Sequence, residues 1–240
     1  EMTSSLVGSE MCIRDRSSPS SNPKRHDMLI ERPPRIFRAL FPGALFRIPR
    51  KGRRPKTVYL TFDDGPIPEA TPFVLDTLRE YGIHATFFMV GQNVERHPEL
   101  MERVRAEGHT LGCHTMHHLQ GSHVTTMRYM LDVARSAQLI GTTLFRPPHG
   151  WLRPQQAWRL AREYTLVMYD LVTRDYSWRI DADRVVENVR RYARPGSIIV
   201  FHDSLKSIDK LRTALPEAID WLLGEGYDFD TLERFAHSGS

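Results

Sequence analysis

The sequence has few of the features that mark disulfide-rich or membrane-spanning proteins. Its 240 residues contain only two cysteines, Cys12 and Cys113, too few for a disulfide framework. No apolar run is long enough to span a bilayer, and no basic stretch followed by an apolar one suggests a signal peptide. With 40% hydrophobic and 10% aromatic residues, the composition instead predicts one folded domain with a sizeable core.

Most of the chain has no excess of basic residues. Residues 1–56 contain 13 basic and 5 acidic side chains, a net charge of +8, whereas residues 57–240 contain 20 and 24, a net charge of −4. The overall charge of +4 therefore comes from the first part of the chain. Because the remainder is acidic, we do not expect nucleic acid as a partner.

The basic first part divides into two stretches. Residues 1–27 are rich in serine and aperiodic, so we expect a disordered leader, part of which resembles non-native sequence. Residues 28–56 form a lead-in rich in proline and arginine. The lead-in has an apolar middle, formed by Phe37, Leu40, Phe41, Leu45 and Phe46.

This apolar middle has two interpretations. We expect it to cover one end of the core, with arginines at the rim, because Pro42-Gly43 breaks it into short pieces. The alternative is an interfacial segment that makes peripheral contact with an anionic membrane or a cell wall.

From residue 57 onward, short apolar runs alternate with amphipathic segments. The pattern predicts strands at 57–62, 85–90, 110–114, 143–146, 165–171, 197–201 and 227–231. It predicts helices at 68–81, 98–107, 125–140, 154–163, 182–192 and 208–223. In the helix at 125–140, Met127, Met130, Leu131 and Ala134 are expected to share the inner face. About seven strand–helix units indicate a single parallel α/β domain, a barrel, over residues 57–235.

The stretch TVYLTFDDGP at residues 57–66 is the most informative part of the chain. Its alternating pattern predicts a strand that stops at Gly65-Pro66, so Asp63 and Asp64 follow the strand's carboxyl end. Neighbouring residues of a strand point to opposite sides, which predicts different roles for the two carboxylates. A bare Asp-Asp-Gly is also typical of an acidic turn that caps the next helix.

A histidine cluster follows the strand at 110–114. His114 and His118 are four residues apart, so one helical turn between them would place both rings on one side, as metal sites require. His117 and His123 offer competing pairings, and a solvated turn is the alternative. Cys113 should face away from His114. Asp64 is the natural third ligand, and two imidazoles with a carboxylate suit zinc and also iron, manganese or cobalt.

Further polar residues follow the later strands. Arg146 opens the motif Arg-Pro-Pro-His-Gly, in which it can hold a carboxylate. Asp170 and Asp175 accompany the strand at 165–171, and His202 ends the apolar strand at 197–201.

Taken in order, these motifs resemble the polysaccharide deacetylases of the NodB-homology type, carbohydrate esterase family 4. The set is Thr61-Phe62-Asp63-Asp64-Gly65-Pro66, His114-Thr115-x-x-His118, Arg146-Pro147-Pro148-His149-Gly150, Asp175 and Val200-Phe201-His202. The resemblance covers about residues 57–231 and implies a distorted (β/α)7 barrel.

The resemblance also implies a role for each matched residue. Asp64, His114 and His118 would bind a divalent metal, usually zinc, with Co²⁺, Mn²⁺ or Fe²⁺ as alternatives. Asp63 would be the general base and His202 the general acid. Arg146 would orient Asp63, Asp175 would tune His202, and the backbone N–H of His149 would bind the substrate oxyanion. Four positions depart from the common pattern without removing a catalytic group: Leu119, His149, Tyr176 and Val200.

The implied activity is hydrolysis of the N-acetyl group, a non-peptide carbon–nitrogen bond, in N-acetylglucosamine residues of a glycan such as peptidoglycan or a chitin oligomer. The alternatives are a hydrolase of a small-molecule amide and a catalytically silent glycan-binding module. The family suggests the cell envelope or periplasm, although a cytoplasmic location stays open because no export signal is visible. An open groove lined by Trp151, Tyr176 or Trp178 would favour a polymeric substrate.

Overall fold

The computed structural model describes residues 31–49 and 56–236. The predicted disordered leader and the basic run at 50–55 lie outside the described residues. The division of the chain at residues 27 and 56 therefore stays a prediction.

The core of the fold is one parallel sheet. Its strands are Lys56–Asp63 (β1), Thr86–Met89 (β2), Thr110–Cys113 (β3), Leu144–Phe145 (β4), Thr165–Leu166 (β5), Leu171–Val172 (β6), Ile198–His202 (β7) and Tyr227–Phe229 (β8). They lie in the order β5-β4-β3-β2-β1-β7-β6, and β8 pairs with the start of β1. Because β5 and β6 do not pair with each other, the sheet is an open, distorted (β/α)7 barrel. The predicted fold class is confirmed.

Helices cover the outside of the sheet. They are Arg35–Ala39 (α1), Thr71–Glu80 (α2), Gly91–Arg96 (α3), Pro98–Ala106 (α4), Thr126–Ile140 (α5), Pro154–Leu160 (α6), Ala182–Tyr192 (α7) and Ile208–Gly224 (α8). In α7, Val185, Val186 and Val189 are buried at helical spacing, as their positions in the sequence predict. Within the described residues, no helix has the length and apolar character needed to cross a membrane.

Strand β1 lies inside the sheet, between β2 and β7, and fixes the position of the site. Its residues from Val58 to Asp63 are all buried, the pattern of a parallel strand with both faces covered. The strand pairs with β2 on one side and β7 on the other, and Asp63 is in register with Phe88 and His202. Asp63 and His202 are therefore neighbours at the carboxyl edge of the sheet.

The lead-in closes the opening between β5 and β6. The N–H of Leu45 donates to the carbonyl of Leu166, and the N–H of Met168 donates to Leu45, both at 2.8 Å. Phe41 and Phe46 are buried in the main core, as expected, but Leu40 is 44% exposed. The segment thus covers a side of the barrel rather than its end, and the prediction for Leu40 was wrong. The alternative of surface attachment stays a prediction.

Asp170 anchors this lead-in and is not part of the site. Its Oδ1 accepts hydrogen bonds from Arg38 at 2.5 Å and Arg194 at 2.6 Å, and its Oδ2 accepts one from Ser197 at 2.8 Å. Burial opposes ionisation of this carboxyl, but the arginine hydrogen bonds lower its pKa to about 2. Because Asp170 lies level with the start of β7, it is remote from the edge that carries Asp63.

Two predictions about individual elements were wrong. The predicted strand at 165–171 is split, because backbone donors after β5 switch from β4 to the lead-in and then to β7. In α5, Met127 and Leu131 are 65% and 63% exposed. The buried face instead carries Tyr129 and Val133 together with polar side chains, which hydrophobic periodicity alone does not predict. Ala134 is also exposed, and Met130 is half-buried.

Candidate active site

A pocket opens at the carboxyl edge of the sheet, the usual position of sites in parallel α/β folds. It is a cavity of about 220 Å³. Seven of the eight predicted site residues line it: Asp63, Asp64, His114, His118, Arg146, His149 and His202. The eighth, Asp175, contacts His202.

Asp63 is buried and held by Arg146. Nη1 of Arg146 donates to Asp63 Oδ1 at 2.6 Å and to Thr61 Oγ1 at 2.8 Å, while Nη2 donates to the carbonyl of Met168 at 3.1 Å. The guanidinium also lies over the ring of Phe88, 4.1 Å from its centroid. The orientation of the Asp63 carboxylate is thus fixed by a buried cation that is itself fixed on several sides.

Asp64 leaves the strand in a left-handed conformation, with φ of 82°, which is uncommon outside glycine. In this conformation the Asp64 carboxylate lies against His118, 3.1 Å away. Because Asp64 lies outside β1, its direction does not follow from strand alternation. The next residue, Gly65, has no room for a side chain, since a Cβ there would meet Asp203 Oδ2 at 2.0 Å. The N–H of Gly65 instead donates to Asp203 Oδ1 at 3.1 Å.

The histidine segment is a loop and not the helical turn that we predicted. Thr115 and His118 have positive φ values of 65° and 51°, and these left-handed residues reverse the chain so that His114 and His118 converge. Asp132 of α5 braces the loop: its Oδ2 accepts the N–H groups of Met116 at 2.8 Å and His117 at 3.1 Å.

The geometry excludes His117 and His123 as alternatives to the pair His114 and His118. Nδ1 of His117 lies 2.5 Å from Asp132 Oδ1, which turns this ring away from the pocket. His123 does not line the pocket. Cys113 is buried with its Sγ directed toward the carbonyl of Val133, away from His114, as the strand alternation predicts.

Asp64, His114 and His118 bring three donor atoms within 4.8 Å of one another. Oδ1 of Asp64 lies 3.1 Å from Nε2 of His118 and 3.7 Å from Nε2 of His114. Nδ1 of His114 lies 2.8 Å from the carbonyl oxygen of Arg146, so it carries the proton and leaves the lone pair of Nε2 toward Asp64. Two imidazoles and one carboxylate are a donor set that fits zinc and other divalent transition metals.

The ionisation states of these groups also fit a metal. Burial lowers the pKa of His114 to about 4, which keeps the imidazole neutral and able to coordinate. Burial alone would raise the pKa of Asp64, but the hydrogen bond with His118 and the nearby His202 hold it well below its usual range. The site therefore offers an ionised carboxylate at Asp64 and a neutral imidazole at His114 at neutral pH, the forms that metal binding requires.

His202 is paired with Asp175. Nδ1 of His202 lies 2.8 Å from Asp175 Oδ1, and its backbone N–H donates to Oδ2 at 2.7 Å. Although burial lowers the pKa of His202, the Asp175 carboxylate more than offsets it and raises the pKa to about 9. His202 is thus an imidazolium at neutral pH, with Nε2 as its remaining donor. The ring of Tyr176 meets it edge to face at 4.7 Å between centroids.

His149 lies on the wall of the pocket beside His118. Its ring centroid is 4.9 Å from that of His118, and its backbone is left-handed with φ of 59°. Burial and the neighbouring His118 lower the pKa of His149 to about 4. Of the three aromatic residues expected along a groove, Tyr176 lines the pocket. Trp151 packs on Phe37 and Phe41, and Trp178 is 85% exposed.

Sequence reasoning missed three functional candidates. Asp203 is buried behind Asp64, where burial raises its pKa to about 8. Asp132 braces the histidine loop, and Lys206 lines the pocket. Asp203 and Lys206 follow His202 closely in the chain, which was a usable signal. Asp132 carried none, because a lone carboxylate on an amphipathic helix is usually solvated.

Comparison with known proteins agrees with this geometry. The family model described as "Polysaccharide deacetylase" matches residues 50–169. The chain belongs to the polysaccharide deacetylase family. It is 34% identical over 193 residues to a peptidoglycan-N-acetylglucosamine deacetylase of Bacillus cereus, covering 76% of this chain and 90% of that protein. It is 36% identical over 156 residues to a chitooligosaccharide deacetylase of Bradyrhizobium, covering 62% and 71%.

The fold comparison gives the same family. The crystal structure of the Bc1960 peptidoglycan N-acetylglucosamine deacetylase, in complex with a hydroxamate-type benzamide, superposes with a TM-score of 0.77 at 28% identity. The match covers 86% of this chain and 98% of that one. The resemblance that the sequence motifs predicted, and the barrel that it implied, are therefore confirmed.

Proposed function

We propose that this protein is a metal-dependent hydrolase that removes N-acetyl groups from N-acetylglucosamine-type residues of a glycan and releases acetate. One observation carries the proposal: a buried carboxylate–arginine pair, a three-ligand cluster and a protonated histidine converge on one pocket. Hydrolysis of an amide needs a base, an electrophile and an acid within reach of one bond. The relatives named as glycan deacetylases support the same class of reaction.

Asp64, His114 and His118 would hold the metal. Zinc is the first choice, and cobalt, manganese or iron would suit the same donors. When bound, the ion would supply Lewis-acid polarisation and a water molecule of lowered pKa. The hydrogen bond from Nδ1 of His114 to the Arg146 carbonyl fixes the ring in the orientation that this role needs.

Asp63 would act as the general base. Its Oδ1 is occupied by Arg146, so Oδ2 is the oxygen that can accept a proton from the attacking water. The pair with Arg146 holds this carboxylate in place and prevents its rotation. The deprotonated water then attacks the acetamide carbonyl carbon, and the backbone N–H of His149 would stabilise the charge that develops on the oxygen.

His202 would act as the general acid. Held by Asp175, it carries a proton on Nε2 at neutral pH and can donate it to the leaving nitrogen as the carbon–nitrogen bond breaks. Asp63 and His202 are paired in register on β1 and β7, so the base and the acid reach the substrate from adjacent strands. The products are acetate and a free amino sugar.

Acetate release tests this proposal directly. We expect the purified protein, supplied with zinc, to release acetate from N-acetylglucosamine oligomers and from peptidoglycan, and a chelator to abolish release until zinc is restored. Peptidoglycan as the preferred substrate would assign the activity to the cell envelope. Metal binding without acetate release would overturn the assignment in favour of a small-molecule amide hydrolase, and absence of both would favour a silent glycan-binding module.

A further inference from the structure

The charged groups of the pocket wall are paired, with one exception. Asp63 binds Arg146, Asp64 lies against His118, and His202 binds Asp175. Lys206 also lines the pocket. Its side chain is exposed, and within residues 31–49 and 56–236 it makes no hydrogen bond or ion pair. The pocket thus presents one cation that no protein group neutralises.

The position of Lys206 brings this charge close to the reacting groups. It lies in the loop between β7 and α8, four residues after His202. The cation therefore lies in the same pocket as His202, the proposed general acid, and His149, the residue proposed to bind the acetamide oxygen.

A solvated surface lysine is the ordinary alternative, and two features weigh against it here. The domain from residue 57 onward is net acidic, so a lone cation at the mouth of the pocket stands out against its surroundings. The chemistry of deacetylation also needs no further cation, because Arg146 and the ligand cluster already supply the positive charge near the carbonyl. An unpaired ammonium at a binding site instead favours an anionic group of the substrate.

We propose that Lys206 selects an acidic glycan, by pairing with a carboxylate carried close to the N-acetyl group that is removed. The inference rests on the proposed function and narrows it to N-acetylated glycans with carboxylate substituents, as opposed to neutral chitin oligomers. The carboxylate belongs either to a neighbouring acidic sugar or to a peptide attached to it. In both cases Lys206 contributes to binding and takes no part in bond breaking.

The test compares charge variants on matched substrates. Lys206→Gln removes the charge, Lys206→Arg keeps it, and Arg190→Gln removes an exposed charge on α7, far from the pocket. Each is assayed on a neutral N-acetylglucosamine oligomer and on glycan strands of alternating N-acetylglucosamine and N-acetylmuramic acid, with and without attached peptide. We expect Lys206→Gln to lower kcat/KM roughly tenfold on the acidic strands, mainly through KM, and to leave the neutral oligomer unchanged.

Lys206→Arg should retain most of the preference, and Arg190→Gln should behave as the wild type. A preference that survives removal of the peptide assigns the carboxylate to the sugar, and one that disappears with the peptide assigns it to the peptide. Equal effects of Lys206→Gln on acidic and neutral substrates would overturn the proposal.

A binding measurement separates this inference from the proposed function. Calorimetry with the acidic strands gives an affinity whether or not acetate is released. If the wild type binds them in a Lys206-dependent manner without turnover, the selectivity stands and the deacetylase assignment falls. Affinity that is independent of Lys206 overturns the selectivity, whatever the activity.

Discussion

Asp63 and His202 are adjacent on two strands, yet their partners give them opposite hydrogen-bonding roles. Arg146 donates to Asp63 and leaves it as an acceptor, whereas Asp175 raises the pKa of His202 and keeps it as a donor. The difference comes from the identity of one partner in each pair, since Asp63 and His202 lie at the same edge of the sheet. A base and an acid can thus coexist side by side at neutral pH.

The role proposed for Asp63 predicts a specific loss in Asp63→Asn. The amide can still accept the hydrogen bond from Arg146, so the fold should persist, but it cannot take a proton. We expect kcat to fall by about 10²–10⁴-fold with zinc content unchanged by elemental analysis. Asp228→Asn, an exposed change on β8, is the matched control. Near-normal turnover of Asp63→Asn would rule out this base.

The role proposed for Asp175 predicts a shift in the pH profile. The pKa of His202 is raised to about 9, and the acid acts in its protonated form, so the rate should be sustained below that pH and fall above it. Without the carboxylate, the pKa of His202 should drop toward or below its usual value, and the alkaline limb of Asp175→Asn should move to lower pH. Because the wild type and Asp175→Asn carry the same metal site, the difference between the alkaline limbs of their pH–rate profiles measures the effect of Asp175 alone. Identical limbs would contradict this role.

At the scale of elements, the sequence patterns predicted what depends on local periodicity. Strand β1, helix α7 and the order of site residues at strand ends follow from alternation and helical spacing. The split after β5 could not be predicted, because it depends on which distant backbone accepts each N–H. We predicted a helical turn at 114–118 because the sequence shows only the four-residue spacing of the two histidines. The left-handed residues that reverse the loop depend on hydrogen bonds to Asp132, which this spacing does not reveal. The burial of Asp132 on α5 follows from the same contact.

The lead-in is the element whose contribution is easiest to test. Phe41 is 2% exposed and Ile36 is 78% exposed, although both belong to the same short segment. Phe41→Ala should lower the free energy of unfolding by about 3–5 kcal/mol, whereas Ile36→Ala should change it by less than about 0.5 kcal/mol. Urea denaturation followed by fluorescence measures both. Equal small effects would mean that the segment does not belong to the folded domain.

At the scale of the whole molecule, the proposed metal site joins separate parts of the barrel. Asp64 follows β1, whereas His114 and His118 follow β3, with β2 between these strands. The three ligands are brought together only by the folded sheet, so an ion bound there stabilises the native state over the unfolded chain. The site is thus coupled to folding as well as to activity.

This coupling predicts that zinc raises the melting temperature of the wild-type protein. At a free concentration 100 times the dissociation constant, the stabilisation is about 2.7 kcal/mol. His118→Ala removes a ligand and should abolish most of the shift, because Asp64 and His114 alone leave the site incomplete. His117→Ala is the matched control: its ring is bonded to Asp132 and turned away from the pocket, so the zinc-dependent shift should persist. The two changes remove the same chemical group from adjacent positions, so comparing them identifies which histidine is the ligand. A zinc-dependent shift that survives in His118→Ala but disappears in His117→Ala would assign that ligand to His117. Differential scanning fluorimetry with and without zinc distinguishes these outcomes without requiring a substrate.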